Sequence, residues 1–381
     1  MSAPAQNLPV EVIDCILDGN RGDRPSLKSS SLVCKAWLQS SRYHLFSEFD
    51  VYVGLDVGKK FLKLLHHPLC TFVYCIRTIT LYPGQPDASG IAPLGDKTVS
   101  RLAKLMHVSS LRIFNHRGLI AKSTLALLAS TFKDVETLRL TNPFASVNDA
   151  VEFVASFPKL KTLDFYPYCH DGTPATLPST LPPSKLSRVQ LHSPFFYRSW
   201  FVEHHDRIPT LTLTDVKASD LDKVEEILAG FGSSLRDLRM AFFPKEVSTS
   251  FPVSAFPQIP PPAPILIGGP FAAILLNQRL TSLELIVPKA SLHNLLEFVE
   301  KMRLPSLRVL SWTAPLAETT ALDMPARIDK VLSNRARFQS LKEVHITTRE
   351  AVSYSKSLDK PPSREFPRAD AVGIAVTFRF G

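Results

Sequence analysis

The sequence predicts an α/β fold, in which a small helical segment is followed by an irregular solenoid built on a parallel sheet. Three observations lead to this prediction. A short strand-forming phrase recurs along most of the chain, segments with helical periodicity lie between its copies, and the first 50 residues contain three short amphipathic helical patterns. With 381 residues, of which 45% are hydrophobic and 21% charged, the chain is also long enough to bury a large core.

Residues 8–50 are predicted to form the three helices. Pro9 and Glu11 suit a first helical turn, because a missing backbone donor is harmless there and a carboxylate faces the positive end of the helix dipole. Pro25 and Ser26 are predicted to begin the second helix. The apolar positions are Val12, Ile13, Ile16 and Leu17 in the first helix, Leu27, Leu32, Val33, Trp37 and Leu38 in the second, and Tyr43, Leu45 and Phe46 beyond it. So small a segment lies near the roughly 40-residue limit below which chains usually need metals, disulfides or association, so we expect it to dock on a partner.

This segment resembles an F-box, the adaptor-binding module of Skp–cullin–F-box ubiquitin ligases. The resemblance rests on the Leu-Pro opening, the apolar positions of the first helix, and the Val-Cys-Lys-x-Trp phrase at residues 33–37 followed by Leu-Phe. It implies that a Skp-family adaptor, and through it a cullin, binds this chain. The residues that it assigns to adaptor binding are Leu8, Pro9, Ile13, Ile16, Val33, Cys34 and Trp37. The alternative is an ordinary three-helix cap on the domain that follows.

An apolar-x-x-apolar-x-apolar phrase organises residues 51–350. Its ten copies begin at Ile76, Val108, Val135, Leu160, Leu186, Ile208, Leu235, Leu280, Leu307 and Leu341. Six of the nine steps between copies are 22–27 residues long, within the roughly 20–29 residues of leucine-rich repeats. The alternation inside each phrase predicts one short strand per copy. This part of the chain resembles the degenerate leucine-rich repeats that follow an F-box in fungal-type proteins, although the asparagine of that family is missing.

Helical patterns lie between the predicted strands. Ser146 to Asp149 and Ser219 to Asp222 begin two of them, and residues 119–128 and 291–302 have the same period. Stacked strand–helix units bury apolar faces that no unit can bury alone, and this places neighbouring strands parallel. The alternative is a doubly wound α/β domain with longer helices. Residues 351–381 form a C-terminal extension, in which Ala371 to Phe380 is predicted to be a capping strand.

Two proline-rich insertions, residues 167–183 and 244–270, interrupt the repeat. The second contains PxxP matches, which polyproline-binding grooves recognise. A loop excluded from helix and sheet is the interpretation that we favour.

Patterns typical of catalysis or metal binding are weak. Residues 90–98 lack the Gly-Lys-Thr ending of a phosphate-binding loop, because an aspartate separates the second glycine from the lysine. The cluster of His66, His67, Cys70 and Cys75 matches no common zinc spacing, and buried structural thiols are the favoured interpretation of its cysteines. We therefore expect a non-catalytic chain with no cofactor and no metal.

The net positive charge of the chain lies beyond residue 50, mainly in the repeats. The chain carries +9, and residues 1–50 hold five Lys/Arg against six Asp/Glu, so the remaining residues carry +10. The residue between the last two apolar positions of each phrase should project from one open face. The candidate target-binding residues at that position are Arg112, Arg139, Asp164 and Arg239. Such arginines suit an acidic or phosphorylated protein target, but a solvated face is the interpretation that we favour, because three arginines among mixed neighbours make no continuous stripe. No dense basic run with interleaved aromatics indicates nucleic acid binding.

Together these patterns predict a substrate-recognition subunit of an SCF-type ubiquitin ligase, whose F-box binds the adaptor and whose repeats bind an unidentified target. The alternative is a leucine-rich-repeat interaction scaffold that acts outside any ubiquitin ligase. Five scattered cysteines suit a reducing compartment. No apolar stretch approaches the roughly 20 residues of a membrane span. We therefore expect a cytoplasmic or nuclear protein without membrane association.

Overall fold

The computed structural model describes residues 8–84, 94–114, 118–141, 143–166, 168–169, 180–192, 200, 208–216, 221–242, 274, 277–286, 299–300, 302–314, 324–348 and 366–380. The chain divides into two compact units, Met1–Leu186 and Ser187–Gly381.

The first unit begins with three helices, α1 (Val10–Gly19), α2 (Arg24–Ser30) and α3 (Lys35–Phe46). Helix α3 packs against both α1 and α2. The small core between them contains Ile13, Leu17 and Leu27, against which Trp37 and Leu45 pack. Three helices are therefore confirmed, but the assignment of residues 32–38 to the second helix is wrong. Helix α2 ends at Ser30, and Trp37 begins the inner face of α3 instead.

The sheet of the first unit follows these helices. Its elements in chain order are β1 (Glu48–Tyr52), α4 (Asp56–Leu65), a 3₁₀ turn (Phe72–Tyr74), β2 (Thr78–Tyr82), α5 (Asp96–Leu102), β3 (Ser110–Phe114), α6 (Lys122–Thr131), β4 (Thr137–Thr141), β5 (Pro143–Phe144), α7 (Val147–Ala155), β6 (Thr162–Phe165) and β7 (Tyr168–Cys169). Strands β1, β2, β3, β4 and β6 are neighbours in that order, and each described pair is parallel. The two-residue strands β5 and β7 pair separately. The predicted domain boundary at residue 50 falls inside β1.

The second unit contains a second run of parallel strands. Its elements are β8 (Arg188–His192), β9 (Thr210–Val216), α8 (Leu221–Phe231), a 3₁₀ turn (Gly232–Ser234), β10 (Asp237–Phe242), β11 (Ser282–Ile286), β12 (Val309–Ala314), α9 (Met324–Leu332), β13 (Glu343–Thr348), α10 (Pro367–Ala371) and β14 (Ala375–Phe380). Strands β8 to β14 are neighbours in chain order. The order of the described strands never reverses within either unit, so these strands show no switch point of a doubly wound fold.

All ten predicted strands are present, and each begins two residues after the start of its phrase. The three apolar residues of every phrase are at most 2% exposed, as Val135, Leu138 and Leu140 illustrate. The buried positions alternate with residues on the opposite, open face, although in β2 the threonines on that face, Thr78 and Thr80, are also buried. The predicted α/β class with parallel strands is therefore confirmed.

The structure adjusts several predicted helices and ends. Ser146 caps α7 by accepting a hydrogen bond from the Asp149 amide at 3.2 Å, as its sequence predicts. The helix predicted at 119–128 lies at 122–131, and the final strand is shorter than predicted because α10 precedes it. The Asp329 carboxylate accepts hydrogen bonds from the first amides of α10, at 3.1 and 2.7 Å. The proline-rich insertion 244–270, most of 167–183 and most of the helix predicted at 291–302 lie outside the described residues.

Candidate protein-binding surfaces

An apolar stripe on α1 is exposed. Val12 and Ile16 are four residues apart on one side of α1 and are each 41% exposed, and Leu8, two residues before the helix, is 39% exposed. We call these three residues the α1 stripe. Leu32 and Val33, in the turn between α2 and α3, are also exposed, Leu32 to 86%. Exposed side chains of this size on so small a helical segment offer apolar area to a partner.

The helical period explains why part of α1 is buried and part exposed. Ile13 and Leu17 turn towards Leu27, Trp37 and Leu45, whereas Val12 and Ile16 each lie one residue earlier and point to an adjacent side. The inner face thus stabilises the three helices, and the α1 stripe remains free of that core.

The structure separates the residues that the F-box resemblance assigns to adaptor binding. Leu8, Ile16 and Val33 are exposed, and so is Pro9 at the start of α1. Cys34 is half-buried at the start of α3. Two others belong to the helical core: Ile13 is 1% exposed, and Trp37 packs beside it. Val12 and Leu32 are exposed residues that the assignment omitted, and the four-residue spacing of Leu8, Val12 and Ile16 would have identified Val12.

A carboxylate fixes the start of α2. Asp23 accepts hydrogen bonds from the Ser26 amide at 3.2 Å and from the Ser26 hydroxyl. The two Ser26 donors lower the pKa of the Asp23 carboxyl below its usual value. Arg24, the first residue of α2, donates to the Leu45 carbonyl at 3.3 Å and thereby joins the end of the connector to α3. The charged connector between α1 and α2 is thus an ordered part of the segment.

The helices continue into the sheet of the first unit without a linker. One residue separates α3 from β1, and the Phe46 and Phe72 rings stack with their centroids 5.1 Å apart. Arg21 pairs with Glu48 of β1 at 3.3 Å. Helix α3 therefore packs directly on β1 and on the 3₁₀ turn that precedes β2.

The open face of the first unit has a charged middle row. Strand register places Asp50, Thr80, Arg112, Arg139 and Asp164 side by side on β1, β2, β3, β4 and β6. This confirms the predicted common position of Arg112, Arg139 and Asp164. The row contains two arginines and two aspartates, so its formal charges cancel.

The arginines of the open faces are paired with carboxylates. In the first unit the Arg139 Nε lies 3.0 Å from an Asp164 oxygen, and the Arg112 Nη1 lies 3.9 Å from a Glu48 oxygen. In the second unit Arg239 pairs with Glu284 of the neighbouring strand at 3.3 Å. These rows therefore carry charges of both signs and form no continuous basic stripe, which agrees with the favoured interpretation of a solvated face.

An aromatic ladder, which the sequence did not predict, runs beside the middle row. It consists of Tyr52, Tyr82 and Phe114, each two residues beyond the middle-row position of its strand. The Tyr52 and Tyr82 centroids are 4.5 Å apart with ring planes 6° from parallel, and the Tyr82 and Phe114 centroids are 5.7 Å apart. The Arg139 guanidinium carbon lies 5.2 Å from the Phe114 centroid. Burial, helped by the Asp50 charge, raises the pKa of Tyr82.

The described residues also form a groove between α6 and α7, on the helical side of the first unit. Its volume is about 590 Å³, and its lining includes Leu125, Ala126, Ala129, Lys133 and Phe153. At its rim Lys122 pairs with Glu152 at 2.9 Å and Asp149 at 3.1 Å, which raises the pKa of its ammonium. The polar groups at the rim are thus engaged with one another.

The residues considered as zinc ligands do not converge. The His66 Nε2 lies 3.0 Å from the Arg101 carbonyl, and the His67 Nδ1 accepts from the Leu69 amide. Cys70 and Cys75 are half-buried in the segment between α4 and β2, and burial raises the pKa of the Cys75 thiol. Among the described residues, no three His, Cys, Asp or Glu side chains are arranged to hold a metal ion.

Within the same described part of the chain, none of the helices has both the length and the apolar character needed to cross a bilayer. Comparison of the sequence with protein-family models finds no match, and a search of the curated proteins finds none either.

Proposed function

We propose that this chain is a non-catalytic substrate-recognition subunit of an SCF-type ubiquitin ligase. Its three N-terminal helices would bind a Skp-family adaptor, and through it a cullin. The open face of the following strands would bind the target protein. Ubiquitin transfer would then be accelerated by proximity, because tethering raises the local concentration of target lysines.

The observation that carries this proposal is the exposure of the α1 stripe together with Leu32 and Val33. A helical segment that uses Ile13 and Leu17 internally has no structural need for further apolar residues on its outer side. Interfaces are stabilised chiefly by a few buried apolar anchors. The F-box resemblance of residues 8–46 supplies the identity of the partner, and the exposed residues supply the surface that such a partner would bury.

Within the proposal the seven assigned residues have two different roles. Leu8, Pro9, Ile16 and Val33 are exposed and would contact the adaptor directly. Ile13 and Trp37 would act indirectly, because they hold α1 against α3 and so fix the orientation of the α1 stripe. Cys34, at the start of α3, would position Val33.

Co-purification of the full chain with a Skp-family adaptor tests the proposal. The full chain is preferable to a fragment of residues 1–60, because such a fragment would lack Phe72, on which Phe46 stacks. We expect a stoichiometric complex that also retains a cullin. A folded chain that binds no adaptor would overturn the proposal, and a chain that binds the adaptor but never a cullin would favour the scaffold outside a ligase.

A further inference from the structure

One end of the aromatic ladder is closed by an arginine of the chain itself. Arg139 stacks on Phe114 at 5.2 Å and is held by the Asp164 carboxylate at 3.0 Å. A guanidinium in this position is stabilised both by the electron-rich face of the ring and by a charge-assisted hydrogen bond to the carboxylate. The first unit thus contains an internal example of arginine recognition by one ring and one carboxylate.

The other end of the ladder carries the same two groups without an arginine. Tyr52, on the first strand, is 37% exposed and is stacked on one side by Tyr82. Within the described residues no second ring and no cation lies against Tyr52. Asp50 is exposed on the same side of β1, two residues earlier, and has no ion pair among the described residues. Glu48, the neighbouring carboxylate, is engaged by Arg21 and Arg112.

We propose that an arginine side chain of the target protein stacks on the outer face of Tyr52 and pairs with the Asp50 carboxylate. It would become the next layer of the ladder, as Arg139 is at the opposite end. Arginine fits better than lysine, because its planar guanidinium can stack on a ring and donate two parallel hydrogen bonds to a carboxylate. An acidic or phosphorylated group would be repelled by Asp50 at this position.

This inference rests on the proposed function, since it names the chemistry that the target-binding face selects. It is separable from adaptor binding because it concerns β1 and leaves the α1 stripe untouched. Adaptor co-purification and target-peptide binding can therefore be measured on the same variants.

A display library of random dodecapeptides, selected on the full chain, supplies the probe. We expect the selected peptides to share an arginine whose replacement by glutamine weakens binding about tenfold, in line with a desolvated cation–π contact combined with an ion pair. Tyr52→Ala and Asp50→Asn should each cause a loss of the same order, whereas Tyr52→Phe keeps the ring and should retain binding. Tyr74→Ala and Asp56→Asn, which alter an exposed tyrosine and an exposed aspartate elsewhere in the first unit, serve as controls.

Each outcome bears on the proposal. Selected peptides that need no arginine, peptides that bind the Tyr52→Ala and Asp50→Asn variants unchanged, or a selection that yields no peptide would overturn it. Retention of binding by Tyr52→Phe, with an unchanged circular dichroism spectrum of Tyr52→Ala, shows that a loss in Tyr52→Ala reflects the missing ring and not unfolding. Loss of adaptor binding with peptide binding intact would instead count against the proposed function alone.

Discussion

Ile13 and Ile16 stand three residues apart on α1, yet Ile13 is 1% exposed and Ile16 is 41% exposed. The same side chain therefore occurs once in the helical core and once on the α1 stripe. This pair allows a test that distinguishes a loss of binding surface from a loss of stability.

Ile16→Asp should weaken adaptor binding and leave the fold intact. The substitution places a charge where the proposed interface would exclude water, and hot-spot losses of roughly 1–2 kcal/mol or more correspond to a decrease in affinity of about tenfold or greater. Affinity measured by calorimetry with a purified adaptor, beside circular dichroism of the free chain, provides the readout. Leu64→Asp, at an exposed leucine of α4, is the matched control and should bind normally.

Ile13→Ala completes the comparison. Truncating a buried isoleucine typically costs about 2–5 kcal/mol, so this variant should lower the melting temperature of the helices and bind less adaptor for that reason. If Ile16→Asp destabilises the chain as much as Ile13→Ala does, the assignment of Ile16 to a binding surface fails.

Acid should remove part of the stability that Asp23 gives to α2. The folded-state pKa of Asp23 is depressed by the two Ser26 donors. Its contribution is therefore present above the pKa that Asp23 has in the unfolded chain, and is lost as the pH falls through the folded-state pKa. The window lies below the usual aspartate pKa, about 3.9.

Asp23→Asn keeps a good N-cap side chain but cannot ionise. The difference in melting temperature between the wild-type chain and this variant should therefore narrow as the pH falls below about 4. Thermal unfolding at a series of pH values measures it. A difference that stays constant with pH would show that the charge of Asp23 contributes nothing to the cap.

The strands could be predicted from the sequence because their apolar spacing is strict. Every phrase that was recognised becomes a strand, and β1 was missed although Phe46, Phe49 and Val51 have the same spacing. Phe46 belongs both to this spacing and to the end of α3, so the helical pattern hides the strand that follows. The predicted second helix is too long, because Leu32 and Val33 continue its apolar spacing in the sequence but lie exposed in the turn after α2.

The chemistry of the open face was harder to predict, because it depends on which strands become neighbours. Arg139 and Asp164 are 25 residues apart in the sequence but adjacent in the sheet. Their ion pair occupies a guanidinium that the sequence alone leaves available to a target. The aromatic ladder depends on the same register, and no single repeat reveals it.

Gly58→Ala should destabilise the first unit even though alanine favours helices. A Cβ at position 58 would lie 2.0 Å from the Tyr52 carbonyl oxygen, so α4 would have to move away from β1. Overpacking of this kind typically costs about 1–3 kcal/mol, which outweighs the gain of roughly 1 kcal/mol in helix propensity. Gly19→Ala, which meets no atom within 4 Å, is the control and should be neutral or slightly stabilising in urea titrations. Equal midpoints for the two variants would contradict the close packing of α4 on β1.

The pairing of Arg139 with Asp164 limits how well this arginine can bind a phosphorylated target. A phosphate that approaches Arg139 must compete with a carboxylate only 3.0 Å away. We therefore expect the wild-type chain to bind a phosphoserine peptide no better than its unphosphorylated form. Asp164→Asn releases the guanidinium and should improve binding of the phosphorylated form by roughly two- to fivefold, the range of an exposed ion pair. Arg139→Gln in the same background should abolish that gain.

Fluorescence anisotropy at two salt concentrations would measure the peptide affinities of these variants, because contacts on an open face weaken as salt screens them. If the wild-type chain already prefers the phosphopeptide, and Arg112→Glu with Arg139→Glu removes that preference, the arginines read acidic targets despite their internal partners.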